Sequence, residues 1–251
     1  MSEQPDNDKV ALLTGGSRGI GRAIALRLVH DGINNIIINY VQDDDAAKVT
    51  TDKIHSIGGR CLTVRANLAY PQEIVELFSR IRESYDCLDI LVHCAAFGAF
   101  KPLHKIKPNQ WDMSMDINTR AFLLCVQHSM ELMKKGVVVA VSSLGSKRAV
   151  PNYGAIGVSK AALEAVIRQL AMELAPRGIR INGVAGGFIE TDSIKHFPGY
   201  EELIAKVVES TPAGRLGQPE DIADVVSLLV ADRAGWMHGQ TVIADGGFSL
   251  L

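Results

Sequence analysis

The sequence predicts an α/β fold in which one parallel β-sheet carries helices on both faces. Two patterns along the 251 residues support this prediction. Short runs that are apolar at nearly every position have the composition of strands buried on both faces. They alternate with longer segments in which apolar residues recur every three or four positions, as on one face of a helix. Repeated strand–helix units with right-handed crossovers build such a sheet.

Seven segments are predicted to be strands and six to be helices. The predicted strands are residues 10–13, 36–39, 61–65, 90–94, 137–141, 180–184 and Thr241–Ala244. The predicted helices are residues 20–31, 46–57, 71–85, 109–134, 152–174 and Pro219–Val230. No low-complexity linker or change in composition divides the chain, so we expect one domain over residues 1–251. Residues 191–212 interrupt the alternation and are predicted to form a lid-like insertion.

The composition excludes several classes of protein. The chain has 26 Lys and Arg against 28 Asp and Glu, a formal net charge of −2, and 47% hydrophobic residues. This balance is typical of a globular protein and argues against a disordered, collagen-like or disulfide-stapled chain. A nucleic-acid-binding domain would show a basic excess, so we expect no nucleic acid partner.

The chain also lacks the usual signals for export, membrane insertion and metal binding. Residues 1–9 have neither the basic start nor the apolar core of a signal peptide, and no apolar run approaches 18 residues. The four cysteines lack Cys-x-x-Cys spacing, and the seven histidines form no metal-ligand motif. We therefore expect a cytoplasmic protein with free thiols, no membrane contact and no catalytic metal.

A glycine-rich turn follows the first predicted strand and leads into the first predicted helix. Glycines let such a turn approach a pyrophosphate closely, and the helix N-terminus offers unpaired N–H groups to the phosphates. The position of the turn between a strand and a helix favours dinucleotide binding over an ordinary turn. The residues expected to bind the cofactor there are Gly15, Ser17, Arg18, Gly19, Ile20 and Gly21.

The end of the second strand predicts which dinucleotide binds. An acidic residue at this place would bind the ribose 2′-hydroxyl of NAD and repel a 2′-phosphate. Here the strand ends in Asn39 and Tyr40, which are neutral, and Arg18 supplies a cation nearby. We therefore expect NADP(H), with a solvated surface charge as the alternative role of Arg18.

Several residues together resemble the short-chain dehydrogenase/reductase family over essentially the whole chain. The resemblance rests on the glycine spacing of residues 15–21 and on Asn118, Ser143 and Lys160. It implies a doubly wound, seven-stranded Rossmann fold and a homotetramer. Long apolar helix faces would fit subunit contacts, although they would equally fit a core within one chain.

The sequence departs from the common family members at the catalytic tyrosine. In those members a tyrosine lies four residues before the lysine, but Ile156 occupies that place and cannot donate a proton. Tyr153 lies seven residues before Lys160. Four and seven residues turn a helix by about 400° and 700°, so both places share a face if both are helical.

The Tyr-x6-Lys spacing resembles the enoyl-acyl-carrier-protein reductases of this superfamily. Residues 142–146, 151–160 and 191–198 are most similar to the NADPH-dependent type III enzymes. The resemblance implies reduction of a trans-2-enoyl thioester carried on acyl carrier protein or coenzyme A, in fatty acid or related biosynthesis. The alternatives are a reductase of 3-oxoacyl thioesters or other carbonyls, and a catalytically silent nucleotide sensor or scaffold.

The chemistry of an enoyl thioester suggests a role for each side chain that matches the family. Tyr153 would stabilise the charge that develops on the thioester oxygen, and Lys160 would bind the nicotinamide ribose and keep the potential positive. Ser143 either contacts the substrate or caps the turn after its strand. Asn118 either holds a water behind the lysine, as in the family, or is an ordinary helical asparagine. The alternatives for Tyr153 and Lys160 are a packing tyrosine and an exposed helical lysine.

The remaining cofactor contacts are carried over from the family. Two of them follow the third strand, one follows the fourth, and two follow the sixth: Asn67, Leu68, Ala95, Ile189 and Thr191. The Asn67 amide could accept from the adenine amino group, and the last two would hold the nicotinamide carboxamide. His93 ends a buried strand and is expected to be a hydrogen-bonded structural group rather than a catalyst.

Overall fold

The computed structural model describes residues 9–250 and contains one sheet of seven parallel strands, with helices on both faces. The strand order is β3-β2-β1-β4-β5-β6-β7, which confirms the predicted fold class. The strands are β1 (Val10–Thr14), β2 (Asn35–Tyr40), β3 (Arg60–Arg65), β4 (Ile90–His93), β5 (Gly136–Ser143), β6 (Ile179–Gly186) and β7 (Thr241–Ala244).

Eight α-helices are found within the described residues, and apolar side chains fill both spaces between them and the sheet. The helices are α1 (Gly19–His30), α2 (Asp44–Ser56), α3 (Pro71–Ser84), α4 (Pro108–Met115), α5 (Ala121–Ser129), α6 (Gly154–Leu174), α7 (Tyr200–Ser210) and α8 (Pro219–Val230). Successive strand residues serve opposite faces: Leu12 packs in the core with Phe122 of α5, and Leu13 in the core with Ile24 of α1.

The order of the strands reverses beside β1, and this reversal positions the functional site. β1 pairs with β2 on one side and with β4 on the other, and all these strands are parallel. The connections after β1 and β4 therefore leave the same edge of the sheet in opposite directions and open a crevice between them. The glycine-rich turn after β1 lies in this crevice.

The prediction of strands buried on both faces is correct for the central strands and wrong for the two at the edges. β3 and β7 have largely half-exposed or exposed side chains, whereas every residue of β1, β4 and β6 is buried. An edge strand has a neighbour on one side only, and its helices cover it incompletely. The apolar composition of the two segments does not reveal this difference.

The predicted helix over residues 109–134 is interrupted and shorter than expected. It consists of α4, a π-helical turn over Asp116–Arg120, and α5, which ends at Ser129. The N–H groups of Leu132 and Met133 then bond back to the Ser129 carbonyl as the chain turns into β5. No glycine or proline marks either the π turn or the end of α5, so the apolar periodicity alone overextends the helix.

The segment predicted as an insertion separates β6 from α8 and holds two short helical elements. A 3₁₀ turn over Ile194–His196 is followed by α7, which Gly199 precedes with a positive φ of 69°. Across residues 9–250, no helix is long and apolar enough to cross a membrane. The same residues hold no group of three His, Cys, Asp or Glu side chains that could bind a metal ion.

Arg180 of β6 binds the carbonyl groups at the end of α8. Its guanidinium donates to the carbonyls of Leu229, Val230, Ala231 and Ala234 at 2.8–3.3 Å, and the side chain is 9% exposed. The carbonyls of Leu229 and Val230 belong to the last turn of α8, which leaves them without partners inside the helix, whereas those of Ala231 and Ala234 also accept from backbone N–H groups.

We predict that Arg180→Leu lowers the free energy of unfolding by about 2–4 kcal/mol, because it removes the side-chain donor of the Leu229 and Val230 carbonyls at the end of α8. Urea unfolding followed by circular dichroism measures the change. Arg177→Leu is the matched control, since Arg177 is exposed and should change the stability by less than about 0.5 kcal/mol. Equal stability of the two variants would contradict the capping role.

Candidate active site

The glycine turn packs so closely on its surroundings that side chains are excluded from it. A Cβ at Gly15 would lie 2.9 Å from the backbone of Ala95, and Gly15 itself has a φ of 65°. A Cβ at Gly21 would lie 2.2 Å from the Gly15 carbonyl oxygen. The turn and the loop after β4 therefore form a smooth backbone cradle at the N-terminus of α1, which fits a dinucleotide pyrophosphate.

A buried hydrogen-bond chain fixes this cradle to β4. The Thr14 hydroxyl accepts from the N–H groups of Cys94 and Ala95 at 3.1 Å and lies 3.0 Å from Nδ1 of His93. Nε2 of His93 donates to the Ile117 carbonyl at 3.2 Å, so Nδ1 is the acceptor of the Thr14 proton. Burial lowers the pKa of His93 to about 3, so the ring is neutral. This geometry supports the structural interpretation of His93.

The residues expected at the adenosine end lie around the end of β2. The Asn39 amide donates to the Ala66 carbonyl at 2.9 Å, while its buried Oδ1 atom has no protein partner. The Arg18 side chain is exposed at the start of α1. A hydrogen bond with Asp44 raises the pKa of Tyr40, and Asp44 also lies 3.9 Å from Arg65. The neutral Asn39 and the exposed Arg18 fit a phosphorylated ribose.

The other expected cofactor residues lie at the same edge of the sheet. Asn67 Oδ1 accepts from the Ala69 N–H at 3.1 Å, and Leu68 beside it is buried. The insertion begins against the glycine turn, because a Cβ at Gly19 would lie 3.6 Å from Cγ2 of Thr191. Ile20, Ile189 and Thr191 line one cavity together with Ser143 and Tyr153, whereas Lys160 and Asn118 are not part of its wall.

This cavity opens at the carboxyl ends of β5 and β6 and has a volume of about 170 Å³. Its walls come from five segments: the start of α1, the loop after β4, residues 141–153, residues 186–189 at the end of β6, and the beginning of the insertion. Most lining side chains are apolar, and none is charged. The largest of them are the aromatic side chains Phe100, Tyr153, Phe188 and Phe197.

Tyr153 lies at the start of α6 and is seated on two glycines. Contrary to the expectation of a helix from residue 152, Tyr153 is the N-cap, and Asn152 before it has a φ of 60°. Asparagine tolerates this left-handed conformation better than most residues. A Cβ at Gly145 would lie 2.5 Å from the Tyr153 ring, and one at Gly157 would lie 2.5 Å from the Gly145 carbonyl oxygen.

Ser143 adjoins Tyr153 in the cavity wall. Burial raises the pKa of Tyr153, and hydrogen bonding to the Ser143 side chain partly lowers it. The Ser143 hydroxyl also accepts from the Gly145 N–H at 3.2 Å, so it caps the short turn after β5. The capping alternative is therefore present, and the same oxygen lines the cavity where a substrate contact is expected.

Lys160 is buried behind the tyrosine rather than exposed. It is 4% exposed, and its Nζ donates to the Val141 carbonyl at 2.7 Å. Burial lowers the pKa of Lys160 to about 8, an effect that nearby Cys94 partly offsets. The alternative of an exposed helical lysine is wrong, because this face of α6 packs on the end of β5.

Ile156 lies on the side of α6 that faces the loop after β4. A Cβ at Gly98 would lie 1.9 Å from Cγ1 of Ile156, so this side chain packs directly on the loop backbone. It is 6% exposed and is not part of the cavity wall. The place of the usual family tyrosine therefore holds a packing residue, and Tyr153 is the tyrosine that lines the cavity.

Asn118 lies in the π-helical turn, and its side chain joins three segments. Oδ1 accepts from the Phe97 N–H at 2.8 Å, and Nδ2 donates to the Phe97 carbonyl and to Ser159 Oγ at 2.9 and 2.8 Å. Both amide protons are thus used. The structure supports a positioning role for Asn118, whereas the water behind the lysine remains a prediction.

Several residues that shape the cavity carry no recognisable pattern in the sequence. Phe100 and Phe197 line it from opposite segments, and Gly98 and Gly145 admit the close contacts of Ile156 and Tyr153. Local spacing carries no signal for Gly98, Phe100 and Phe197, since each contacts a residue far away in the chain.

The fold and this site define a class of reductase. A family model described as enoyl-(acyl carrier protein) reductase matches residues 15–249. The chain belongs to this family of short-chain dehydrogenases/reductases, and it is an oxidoreductase of that type.

Two curated relatives illustrate the range of reactions in the family. The 1-cyclohexenylcarbonyl-CoA reductase of Streptomyces collinus is 38% identical over 254 residues, which cover all of this chain and 90% of the relative. The 3-oxoacyl-[acyl-carrier-protein] reductase FabG of Staphylococcus epidermidis is 32% identical over 243 residues, which cover 96% and 98%. The relatives thus include both enoyl and 3-oxoacyl reductases.

Solved structures extend the similarity to the fold and the cofactor. The angucycline C-6 ketoreductase LanV, which has NADP bound, is 33% identical with a TM-score of 0.87 over 97% of this chain and 96% of its own. A short-chain dehydrogenase/reductase from Serratia marcescens is 28% identical with a TM-score of 0.90 over 98% and 100%. The expectation of NADP(H) agrees with the LanV structure.

We predict that Arg18→Glu weakens NADPH binding at least about tenfold and leaves NADH binding nearly unchanged, because only NADPH carries the 2′-phosphate. Titration of nucleotide fluorescence measures both dissociation constants. The control is Lys48→Glu, which makes the same charge change on the exposed surface of α2. Equal losses for NADPH and NADH would contradict the role of Arg18.

Proposed function

We propose that this protein reduces the carbon–carbon double bond of a trans-2-enoyl thioester with NADPH. One observation carries the proposal: Tyr153 lines the cavity seven residues before buried Lys160, while Ile156 is packed away from the cavity. The relative named for the reduction of a cyclic enoyl thioester supports it. NADPH, when bound, supplies the hydride that adds to the β-carbon.

Tyr153 would stabilise the charge that develops on the thioester oxygen. Its hydroxyl donates a hydrogen bond to that oxygen, and the bond strengthens as the oxygen takes on enolate character. The apolar cavity walls exclude water and thereby increase the contribution of this single donor. Ser143 lines the cavity wall beside the phenol and would be a second donor to the same oxygen.

Lys160 would supply the positive potential for the reaction. Residues 90–111 and 132–163, which include most of the substrate side of the cavity, contain no Asp or Glu. Glu164, one turn after Lys160 on α6, is buried, and its carboxylate accepts from the hydroxyls of Ser142 and Ser146. The positive charge of Lys160 would favour an anionic oxygen next to Tyr153. As a further role, Lys160 would bind the nicotinamide ribose hydroxyls.

The carrier of the acyl group is proposed to be coenzyme A or acyl carrier protein, both of which bear phosphopantetheine. The exposed cations of the substrate side support this assignment: Lys101 pairs through its backbone with Tyr153, and Lys147 follows the turn that contains Gly145. A phosphate group would be attracted to such a rim.

We also propose that the protein is a homotetramer. Large apolar side chains are exposed near β7 and α8, where Trp236 is 97% exposed, Leu228 48% and Ile243 40%. β7 is an edge strand, which leaves one row of backbone groups available for pairing. Contacts between subunits would cover these surfaces.

A second candidate is the reduction of a 3-oxoacyl thioester. The hydrogen bonding of Ser143 with Tyr153 favours it, because a serine and a tyrosine could bind a carbonyl oxygen together. The FabG relatives are named for this type of reaction. Against it, the usual carbonyl-reducing tyrosine is replaced by Ile156.

We predict that the purified protein oxidises NADPH with crotonyl-CoA and not with acetoacetyl-CoA. Tyr153→Phe should lower kcat/KM for crotonyl-CoA by about 10²–10³, as expected for loss of an oxyanion donor. Tyr85→Phe, in the segment that follows α3, is the control and should have no effect. NADPH oxidation with acetoacetyl-CoA alone would contradict the proposed enoyl reduction. No NADPH oxidation with either thioester would favour a nucleotide sensor.

The activity should fall as the pH rises through about 8. The pKa of Lys160 is lowered to about 8, so its positive charge is present below this pH and lost above it. Steady-state kcat/KM between pH 6 and 10 measures this limb. Lys160→Arg should have a lower kcat/KM than the natural protein. Its kcat/KM should no longer fall near pH 8, because arginine stays protonated. An unchanged profile in this variant would show that another group titrates.

A further inference from the structure

Two phenylalanines from distant segments meet across the cavity. Phe100 follows β4 and Phe197 lies in the insertion, and their ring centroids are 4.5 Å apart with the planes tilted by 39°. The Tyr153 ring lies 6.1 Å from Phe100 and 6.3 Å from Phe197, nearly parallel to the latter at 13°. The three rings form one continuous aromatic wall beside the candidate catalytic hydroxyl.

The contact between the two phenylalanines is too close for a carbon chain to pass. An alkyl carbon packs about 3.5–4.0 Å from a neighbouring carbon, so two facing rings must stand about 7–8 Å apart to admit a methylene chain between them. The observed 4.5 Å is well below this separation. An acyl group bound next to Tyr153 cannot extend past Phe100 and Phe197 in this structure.

The space on the inner side of this contact is small and apolar. The cavity has a volume of about 170 Å³, and the nicotinamide-side residues Ile189 and Thr191 share it. An apolar cavity of about 150 Å³ holds one benzene molecule. The cavity itself therefore holds about one six-membered ring or an equally compact chain next to Tyr153.

One side of the aromatic contact is firmly anchored. Asn118 holds both the N–H and the carbonyl of Phe97, and Lys101 forms a β-bridge with Tyr153 on the other side of Phe100. Phe197 is 8% exposed, and its N–H donates to the Ile194 carbonyl at 3.0 Å. The position of the phenylalanine pair is thus tied to the position of the tyrosine itself.

We propose that Phe100 and Phe197 set the upper size of the acyl group, so that the enzyme reduces compact cyclic or short enoyl thioesters and excludes long chains. This inference rests on the proposed enoyl reduction and specifies its substrate class. Dispersion contacts with the aromatic wall favour a flat conjugated acyl group, and the closed contact excludes a longer one.

The test compares three CoA thioesters of increasing acyl size: crotonyl, 1-cyclohexenylcarbonyl and trans-2-dodecenoyl. With the natural protein, kcat/KM for the dodecenoyl thioester should be at least about tenfold below that for either compact substrate. Phe197→Ala and Phe100→Leu should each raise the ratio of dodecenoyl to crotonyl activity by about tenfold, because they open the contact.

Phe188→Leu is the matched control, since Phe188 lines the same cavity but its ring packs against Phe248. It should leave the ratio unchanged. Thermal unfolding of each variant separates a loss of folding from a change in selectivity, and Phe197→Leu replaces Phe197→Ala if the latter is unstable. Equal activity on short and long substrates in the natural protein, or an unchanged ratio in both opening variants, would overturn the size limit.

Binding distinguishes this inference from the proposed reaction. Calorimetry with hexanoyl-CoA and dodecanoyl-CoA, each in the presence of NADP⁺, measures acyl size selection without turnover. If no enoyl thioester is reduced but hexanoyl-CoA still binds more tightly, and Phe197→Ala removes the difference, the size limit stands and the proposed reaction fails. Equal binding of the two saturated thioesters would count against the size limit.

Discussion

The close packing of α6 on the turn after β5 is the contact on which the site depends. Gly145 and Gly157 have no side chains, and their backbones meet at a distance that a single Cβ would prevent. This approach places the Tyr153 ring on Gly145 and brings Lys160 under the end of β5, where the Val141 carbonyl accepts its proton. The candidate hydrogen-bond donor to the thioester oxygen, the buried cation and the cavity wall thus share one helix–strand contact.

Burial then determines the chemistry of these side chains. Burial at the sheet edge lowers the pKa of Lys160, and its charge is available to an anionic oxygen in the cavity. The neutral His93 shows the opposite use of burial, because it serves only to hold the cradle to the π-helical turn. Two basic groups in one region therefore have different roles, which the hydrogen bonds around them decide.

Much of the architecture could be predicted from the sequence, and the site only in part. All seven strands and the glycine turn follow from local patterns, since strand burial and tight turns leave a direct record in residue types. The interruption of the helix around Asn118 could not be predicted, because a π turn needs no glycine or proline and is stabilised by the distant Phe97 backbone. The exposure of β3 and β7 also depends on which strands lie at the edges.

The sequence by itself determined the fold class, the cofactor cradle and the absence of a tyrosine four residues before Lys160. These features depend on residue types at short spacings, because such residues determine the local backbone geometry. The tertiary structure alone decided that Ile156 faces Gly98, that Tyr153 is an N-cap at the cavity and that Phe100 meets Phe197. Such contacts join residues far apart in the chain, and their energy comes from close packing that no local pattern records.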